Sequence, residues 1–281
     1  MKANELKSIL SQYKESNFQN LSSLPVPIIT EAMLEHIGNT DPILRDSLIY
    51  PCFTNLIING HYPRPELNRI VTVCLDEKHL FYRINQDDED AVFTRSFSSL
   101  IIAVLLFVNV KETFISDEEM DVVARKIIDY VKKEEDVRGF VEEKGWAHSI
   151  AHIADTLDEL VKQPQLKESR LEEIALLILE KMSFDKDYFL FEEDERMVIP
   201  IISVLQKGID PSFLYGQIDN IVIELQQNYS QNNTKPFIQR TNLKQFLRSL
   251  LLHLEVLNKQ EKLCEHLRSA LKSINQPYYN L

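Results

Sequence analysis

The 281-residue sequence is poor in glycine, which occurs only six times, and contains a single tryptophan. Leucine, isoleucine, glutamate and lysine are abundant instead, and this composition favours α-helices. The length is sufficient for a large core in one domain or in one array of repeats. A mostly helical protein is therefore the first expectation.

Cysteine is also scarce, with three residues in total: Cys52, Cys74 and Cys264. The number is odd and no CxxC spacing occurs, so neither a disulfide framework nor a cysteine zinc motif is indicated. This pattern predicts reduced, mostly buried thiols in a cytoplasmic protein.

Positive charge is in deficit, because 31 Lys and Arg face 43 Asp and Glu and give a net charge of −12. Such a balance argues against nucleic-acid binding and against an anionic membrane surface. The polar stretch 1–20 predicts an amphipathic helix and not a secretory signal. The longest apolar block, Leu100–Val108, is shorter than the roughly 20 residues of a membrane-spanning helix, so we expect a buried core helix.

A pattern of about 50 residues recurs along the chain: an acidic entry, one basic or imidazole side chain, and then a long apolar helix. The equivalent positions are Arg45, Arg95, His148, Arg196 and Lys244. A helical hairpin of this length resembles HEAT units and must stack on its neighbours to bury its apolar face. The sequence predicts an all-α, HEAT-like superhelix, an α/α solenoid of about five hairpins in one domain, 1–281. A closed α/α toroid is the alternative.

Two stretches have a weaker pattern. Residues 66–83 are predicted to be helical, although a strand is conceivable over Asn68–Arg83. The polar stretch 228–236 is predicted to be a loop.

The stretch Glu134–Val161 holds the only tryptophan and carries the most distinctive pattern. A helix from Trp146 onward places its apolar residues on one face. The opposite face receives polar side chains at i, i+4, i+7 and i+11, namely His148, His152, Asp155 and Glu159. These four side chains are candidate ligand-binding residues.

His148 and His152 have the i, i+4 spacing that lets two imidazoles bind one zinc ion from a helix. Asp155 or Glu159 would complete the site and leave a position for a water molecule, as in metal-dependent hydrolases or lyases. Ser149, however, stands where the known zinc helix has glutamate. The other interpretation is a solvated helix face without a cofactor.

Four arginines lie beside acids in the sequence: Arg45 near Asp46, Arg95 near Asp90, Arg138 near Asp136, and Arg196 near Glu195. Arginine binds carboxylates in two places, so these pairs could tie one hairpin to the next. The alternative is an anion-binding cluster, for which Arg95 and Arg138 are the candidates. The aromatic residues around them are predicted to lie in the core: Phe93, Phe97, Phe140 and Trp146.

Several of these segments resemble the bacterial domain of unknown function 2785 family. They are FTRSFSSL at Phe93–Leu100, EEDVRGFVEEKGWAHSIAHIAD at Glu134–Asp155, EDERM at Glu193–Met197 and DPILRD at Asp41–Asp46. The resemblance implies membership of a family without an established activity, and it transfers no catalytic residue.

The expected function is that of a cytoplasmic binding or scaffold protein. Its concave face would take a peptide, a protein or a small ligand. A metal-dependent hydrolase or lyase centred on His148, His152 and Asp155 is the alternative. A third metal ligand from another helix would favour the enzyme, and a broad polar groove would favour the binding protein.

Overall fold

The helices of the chain fall into two compact units, Met1–Gln165 and Leu166–Leu281, in a computed structural model that describes residues 1–18, 21–227 and 233–279. Regular structure in these ranges is almost wholly helical, so the all-α prediction is confirmed. Each unit has its own apolar core.

The first unit contains eight α-helical segments and a two-stranded hairpin among the described residues. They are α1 (Ala3–Glu15), α2 (Val26–Glu35), α3 (Pro42–Leu44), α4 (Tyr50–Ile58), α5 (Arg64–Cys74), α6 (Ala91–Lys111), α7 (Asp117–Lys133), β1 (Phe140–Val141), β2 (Gly145–Trp146) and α8 (Ser149–Val161). A π-helical turn, Arg45–Ile49, joins α3 to α4, and a 3₁₀ turn, Leu21–Ser23, precedes α2.

Helix α6 forms the centre of the first unit, and most of its residues are buried. With 21 residues and a mean hydropathy of 2.1 it is long and apolar enough to span a membrane. However, 83% of its most apolar window is buried within the protein. Its burial is that of a core helix, as the sequence predicts.

Helices α4 and α8 both pack against α6. Arg45, just before α4, lies over Phe93 near the start of α6, and the next contact along the two segments shows that α4 and α6 run in the same direction. Tyr50 of α4 meets the ring of Phe97 on α6 edge to face. Further along α6, the Thr156 hydroxyl donates to the Ser99 carbonyl at 2.7 Å, and the Gln163 amide donates to the Leu106 carbonyl at 2.9 Å. Partner positions rise together along both helices, which makes α6 and α8 parallel neighbours.

Helix α5 is shorter than the sequence predicts, because it ends at Cys74 and turns occupy 75–85. Asp76 stabilises the first of these turns. Its carboxylate accepts hydrogen bonds from the Lys78 amide at 2.7 Å and from Nδ1 of His79 at 2.8 Å. Aspartate competes with helical hydrogen bonding in this way, and a period-based prediction does not capture it.

The second unit consists of α9 (Glu168–Lys181), α10 (Glu193–Gln206), α11 (Ser212–Gln227), α12 (Lys235–Val256) and α13 (Glu261–Asn275), followed by a 3₁₀ turn, Gln276–Tyr278. The Asn242 side chain links α12 to the loop before α10, because it donates to the Phe184 and Asp187 carbonyls at 2.9 and 2.8 Å. Most of the predicted loop 228–236 lies outside the described residues, and α12 begins within its end, at Lys235.

Candidate functional site

A short hairpin leads into α8, where the sequence predicts continuous helix. Phe140 pairs with Trp146 and Val141 with Gly145, and the helix begins only at Ser149. Consequently Trp146 is 40% exposed and Phe140 is 51% exposed. The prediction that these two side chains lie in the core is wrong.

The reason is backbone geometry around Gly145. Its φ of +77° and that of Glu143, +64°, lie in the left-handed region, which continues neither helix nor strand. His148 is also left-handed, with φ of +49°, and its amide donates to the Arg138 carbonyl at 2.9 Å. Residues other than glycine that adopt the left-handed backbone conformation are concentrated at functional and tightly constrained sites.

The hairpin is held by Arg45, whose side chain is completely buried. Its guanidinium donates to the carbonyls of Asn39 and Lys144, both at 2.7 Å, and lies 4.2 Å from the ring centre of Phe93. Asp46 lies 2.7 Å from Nε of Arg45. Burial raises the pKa of the Asp46 carboxyl, and the Arg45 charge opposes that shift. The two residues fix a segment about 100 positions later in the chain.

Beyond the hairpin, four aromatic rings follow one another from the surface toward the core. The indole of Trp146 stacks on His148 with 4.7 Å between ring centres, and His148 meets the His152 ring at 5.7 Å. His152 in turn meets the ring of Phe97 edge to face at 5.2 Å. The first three rings belong to the segment 146–152, so the two candidate histidines are brought together.

Ser96 determines the tautomer of His152. Its hydroxyl lies within hydrogen-bond distance of the Ala147 carbonyl and 2.7 Å from Nδ1 of His152. A hydroxyl has one proton, and the carbonyl can only accept, so the serine donates to Ala147 and accepts from Nδ1. In the neutral ring of His152 the unprotonated nitrogen is therefore Nε2.

The other two candidates on α8, Asp155 and Glu159, line a groove between α4, α6 and α8. Its volume is about 330 Å³. The floor is apolar and formed by α6, one wall belongs to α4, and the acidic wall is α8. The lining residues are Tyr50, Thr54, Ile58, Leu100, Ala103, Val104, Phe107, Asp155, Asp158 and Glu159.

The acidic wall of this α4–α6–α8 groove carries three carboxylates and one neighbouring cation. Lys162 lies 2.7 Å from both Asp158 and Glu159. Burial acts to lower the pKa of Lys162, but its two carboxylate partners raise that pKa by more than burial lowers it. The ammonium therefore stays charged at neutral pH. The wall thus carries three acidic side chains, two of which contact Lys162.

Arg95 and Arg138 lie away from this groove, in ion pairs of their own. Arg95 binds both oxygens of Glu134, at 2.6 and 2.8 Å, and not Asp90 as the sequence suggests. The Tyr130 hydroxyl and the Asp136 amide donate to the same carboxylate. Arg138 pairs with Asp136 at 2.6 Å, as predicted. Both arginines thus bind carboxylates close to the entrance of the hairpin.

Of the other predicted pairs, Arg45 and Asp46 are together. Glu195, the acid beside Arg196 in the sequence, accepts from His253 at 2.7 Å. As for the zinc hypothesis, the described part of the chain has no group of three or more His, Cys, Asp and Glu side chains arranged to hold a metal ion. His148 and His152 lie next to each other, with 5.7 Å between ring centres. Zinc binding stays a prediction.

A family model described as "Protein of unknown function (DUF2785)" matches residues 80–252, which is more than half of the chain. The chain belongs to the DUF2785 family. The match spans α6, the hairpin, α8 and most of the second unit, but not the Asp41–Asp46 motif. No curated protein and no solved structure matches the chain significantly. The predicted resemblance to the domain of unknown function 2785 family is confirmed.

The α4 wall of the groove, and with it Tyr50, Thr54 and Ile58, was not predicted. The sequence contains one sign of this wall: α4 and α6 have more apolar residues than a single buried face needs. One of these extra apolar residues, Ile58, is 51% exposed at the groove.

Proposed function

We propose that this DUF2785 protein is a binding protein and that the α4–α6–α8 groove is its ligand site. One observation carries the proposal: an apolar floor from α6 lies directly beside an acidic wall from α8. Ligand sites in proteins are concave and mostly apolar, with a few polar groups that fix orientation. Two of the candidate residues, Asp155 and Glu159, belong to that wall.

The ligand that this groove fits is a segment of a peptide or protein with apolar and basic side chains. Leucine or isoleucine would cover the floor, and lysine or arginine would face Asp155 and Asp158. The volume lies near the lower end of the range for ligand pockets, so it accommodates a few side chains and not a folded domain. The net charge of −12 favours the approach of a basic partner and disfavours nucleic acid and anionic membranes.

The HEAT-like superhelix is part of the same proposal. The parallel arrangement of α4, α6 and α8 supports it, because stacked hairpins place their second helices side by side. In that arrangement the groove belongs to the surface that such repeats use for binding. Three free, buried cysteines support a location in the reducing cytoplasm.

A metal-dependent hydrolase or lyase is the second candidate, and the tautomer of His152 favours it. Histidines that bind metal commonly donate their other N–H to a neighbouring acceptor, as His152 does to Ser96. Metal analysis of protein purified without an affinity tag tests this alternative. Zinc at one equivalent, lost on replacing His148 and His152, would support the enzyme.

The binding proposal is tested with labelled amphipathic peptides and fluorescence anisotropy. We expect a helical peptide of leucine and lysine to bind, and a peptide of leucine and glutamate not to bind. Asp155→Asn with Glu159→Gln should weaken binding about tenfold or more, since each lost charged contact contributes roughly 1 kcal/mol or more. Glu77→Gln with Glu112→Gln makes the same charge change at exposed positions outside the groove. Equal weakening in both double variants would contradict a site in the groove.

A further inference from the structure

Helix α12 of the second unit carries a row of three cations, although the chain as a whole has a net charge of −12. Arg240, Lys244 and Arg248 follow one another at intervals of four residues, so they lie along one side of the helix. Side chains four positions apart on a helix have Cβ atoms about 5–6 Å apart. Two neighbouring members of the row can therefore contact one anion with their long side chains.

No carboxylate pairs with this row in the ranges that the structure describes. The side chains of Lys244 and Arg248 form no ion pair and no hydrogen bond there. Arg240 has neutral partners, because it donates to the Ile274 carbonyl at 2.6 Å and lies 5.1 Å from the ring centre of Tyr278. The pKa of Lys244 is lowered by its partial burial and then by the charges of Arg248 and Arg240. No described carboxylate opposes that shift.

Acids elsewhere around α12 have partners of their own. Two acids of α10 accept hydrogen bonds from Ser249 and His253. These two positions lie roughly 140° and 180° round the helix from Lys244, so the α10 acids are on the opposite side of α12. Glu255, the one acid in the sequence of α12, lies 2.6 Å from Arg268. The row of cations therefore keeps its positive charge.

Two exposed apolar side chains continue the row at the same interval. Leu252 is 58% exposed and Val256 is 72% exposed. Single exposed apolar residues are ordinary on a protein surface, but these two directly follow a row of cations. Together the five residues form the α12 ridge, namely Arg240, Lys244, Arg248, Leu252 and Val256, which is about 24 Å long. Ridges of this kind are the features of a helix that pack into a groove of another segment.

We infer that the α12 ridge binds a phosphorylated segment of a partner protein. The phosphate group would lie between Lys244 and Arg248, and apolar residues of the segment would cover Leu252 and Val256. A phosphate ester has almost two negative charges at pH 7 and three acceptor oxygens, so it neutralises two cations at once. Lysine supplies a point charge to such a group, and arginine supplies a planar fork that binds two oxygens.

Other anions match the ridge less well. A carboxylate has a single negative charge and would leave one of the two cations without a partner. A free phosphate ion would leave Leu252 and Val256 uncovered. A nucleic acid would extend beyond the three cations over the surface of a protein with a net charge of −12. The combination of paired cations and apolar residues therefore favours a phosphorylated peptide segment.

The probe is a fluorescein-labelled peptide that contains one phosphoserine followed by leucine and valine, without lysine or arginine, and binding is measured by fluorescence anisotropy. We expect saturable binding that is about tenfold or more weaker when glutamate replaces the phosphoserine. Lys244→Met with Arg248→Met should weaken binding of the phosphopeptide by a similar factor, because charged hydrogen bonds are lost. Lys14→Met with Lys167→Met removes the same charge at exposed positions and should leave binding unchanged.

The single variant Lys244→Met separates binding from a structural role. Partial burial and two like charges disfavour the charged form of Lys244. Its replacement should therefore keep or raise the urea midpoint of unfolding, while the affinity for the phosphopeptide falls. A urea midpoint that falls together with the affinity would mean that Lys244 supports the fold, and it would contradict the inference.

The groove variant Asp155→Asn with Glu159→Gln should bind the phosphopeptide as the unmodified protein does, since the α12 ridge shares no residue with the α4–α6–α8 groove. Equal binding by the two double lysine and arginine variants would overturn the inference. So would the absence of saturable binding, or tighter binding of inorganic phosphate or single-stranded DNA than of the phosphopeptide.

Discussion

Nη2 of Arg45 donates a 2.7 Å hydrogen bond to the carbonyl of Lys144, 99 residues further along the chain. This bond joins the π-helical turn Arg45–Ile49 to the hairpin that precedes α8. π-helical turns are rare and are frequently found at functional sites. The position of α8, and with it the acidic wall of the groove, thus depends on a residue in the turn between α3 and α4.

Replacing Arg45 by Met should destabilise the protein strongly. The change removes the partner of Asp46 and leaves the Asn39 and Lys144 carbonyls without their donors. Loss of one partner from a buried ion pair typically costs about 3–5 kcal/mol. Arg125→Met is the control, because Arg125 and Asp121 form an exposed pair that contributes little. Urea denaturation of both variants measures the difference, and equal losses would contradict the role given to Arg45.

A comparison of Gly145→Ala with Gly60→Ala distinguishes the cost of backbone strain from the cost of a steric clash. Both have positive φ, +77° and +71°, so alanine introduces similar strain at each position. A Cβ atom on Gly145 would lie 2.8 Å from Cβ of Pro42, whereas none of the described atoms lies within 4 Å of such an atom on Gly60. We expect Gly60→Ala to cost about 1 kcal/mol and Gly145→Ala distinctly more. Similar losses in denaturant would show that the hairpin does not pack closely on Pro42.

Trp146 and Phe93 provide a comparison between an exposed and a buried ring. Phe93 is fully buried, and its replacement by Ala should cost about 3–5 kcal/mol. Trp146→Ala removes the side chain of a residue that is 40% exposed and should cost about 1–2 kcal/mol. Chemical denaturation decides between the two, and a larger loss for Trp146 would restore the sequence-based view that this residue is in the core.

The helical phase of α8 could be predicted from the sequence, because a regular amphipathic helix obeys a 3.6-residue period. Ile150, Ile153 and Leu157 are buried, and His152 and Asp155 lie on the more exposed side. The start of the helix could not be predicted this way. Apolar Trp146 and Ala147 fit the period by chance, while their backbone is used by the hairpin.

Contacts between segments that are distant in the sequence also could not be predicted. Arg95 follows Asp90 closely in the sequence, but its partner is Glu134, 39 residues away. The groove has the same origin, because its α4 wall and its α8 wall are more than 90 residues apart in the sequence. Local spacing contains no information on such pairs. It identified Asp155 and Glu159 as candidates but not the apolar floor beside them.

We expect Glu195 to stabilise the second unit at neutral pH and to lose this effect in acid. The hydrogen bond from His253 lowers the pKa of Glu195 below its ordinary value of 4.5. A carboxyl whose folded-state pKa is lowered stabilises the fold above its unfolded pKa, and this contribution is lost as the pH falls through the folded-state value. The free energy of unfolding of the unmodified protein, relative to Glu195→Gln, should therefore shrink below about pH 4.5.

Urea titrations at a series of pH values measure this difference for Glu195. Glu224→Gln on α11 is the control, because it neutralises an exposed acid of the same unit. A pH-independent difference between Glu195→Gln and the unmodified protein would mean that His253 does not stabilise the carboxylate.

The account depends most on the α4–α6–α8 groove as a site for basic, apolar peptides. Backbone NMR of the isotope-labelled protein, titrated with the leucine–lysine peptide, tests this most directly. The largest chemical-shift changes should fall on the residues that line the groove, above all Thr54, Ala103, Asp155 and Glu159. Shifts confined to other parts of the protein, or no shifts at saturating peptide, would contradict the proposed site.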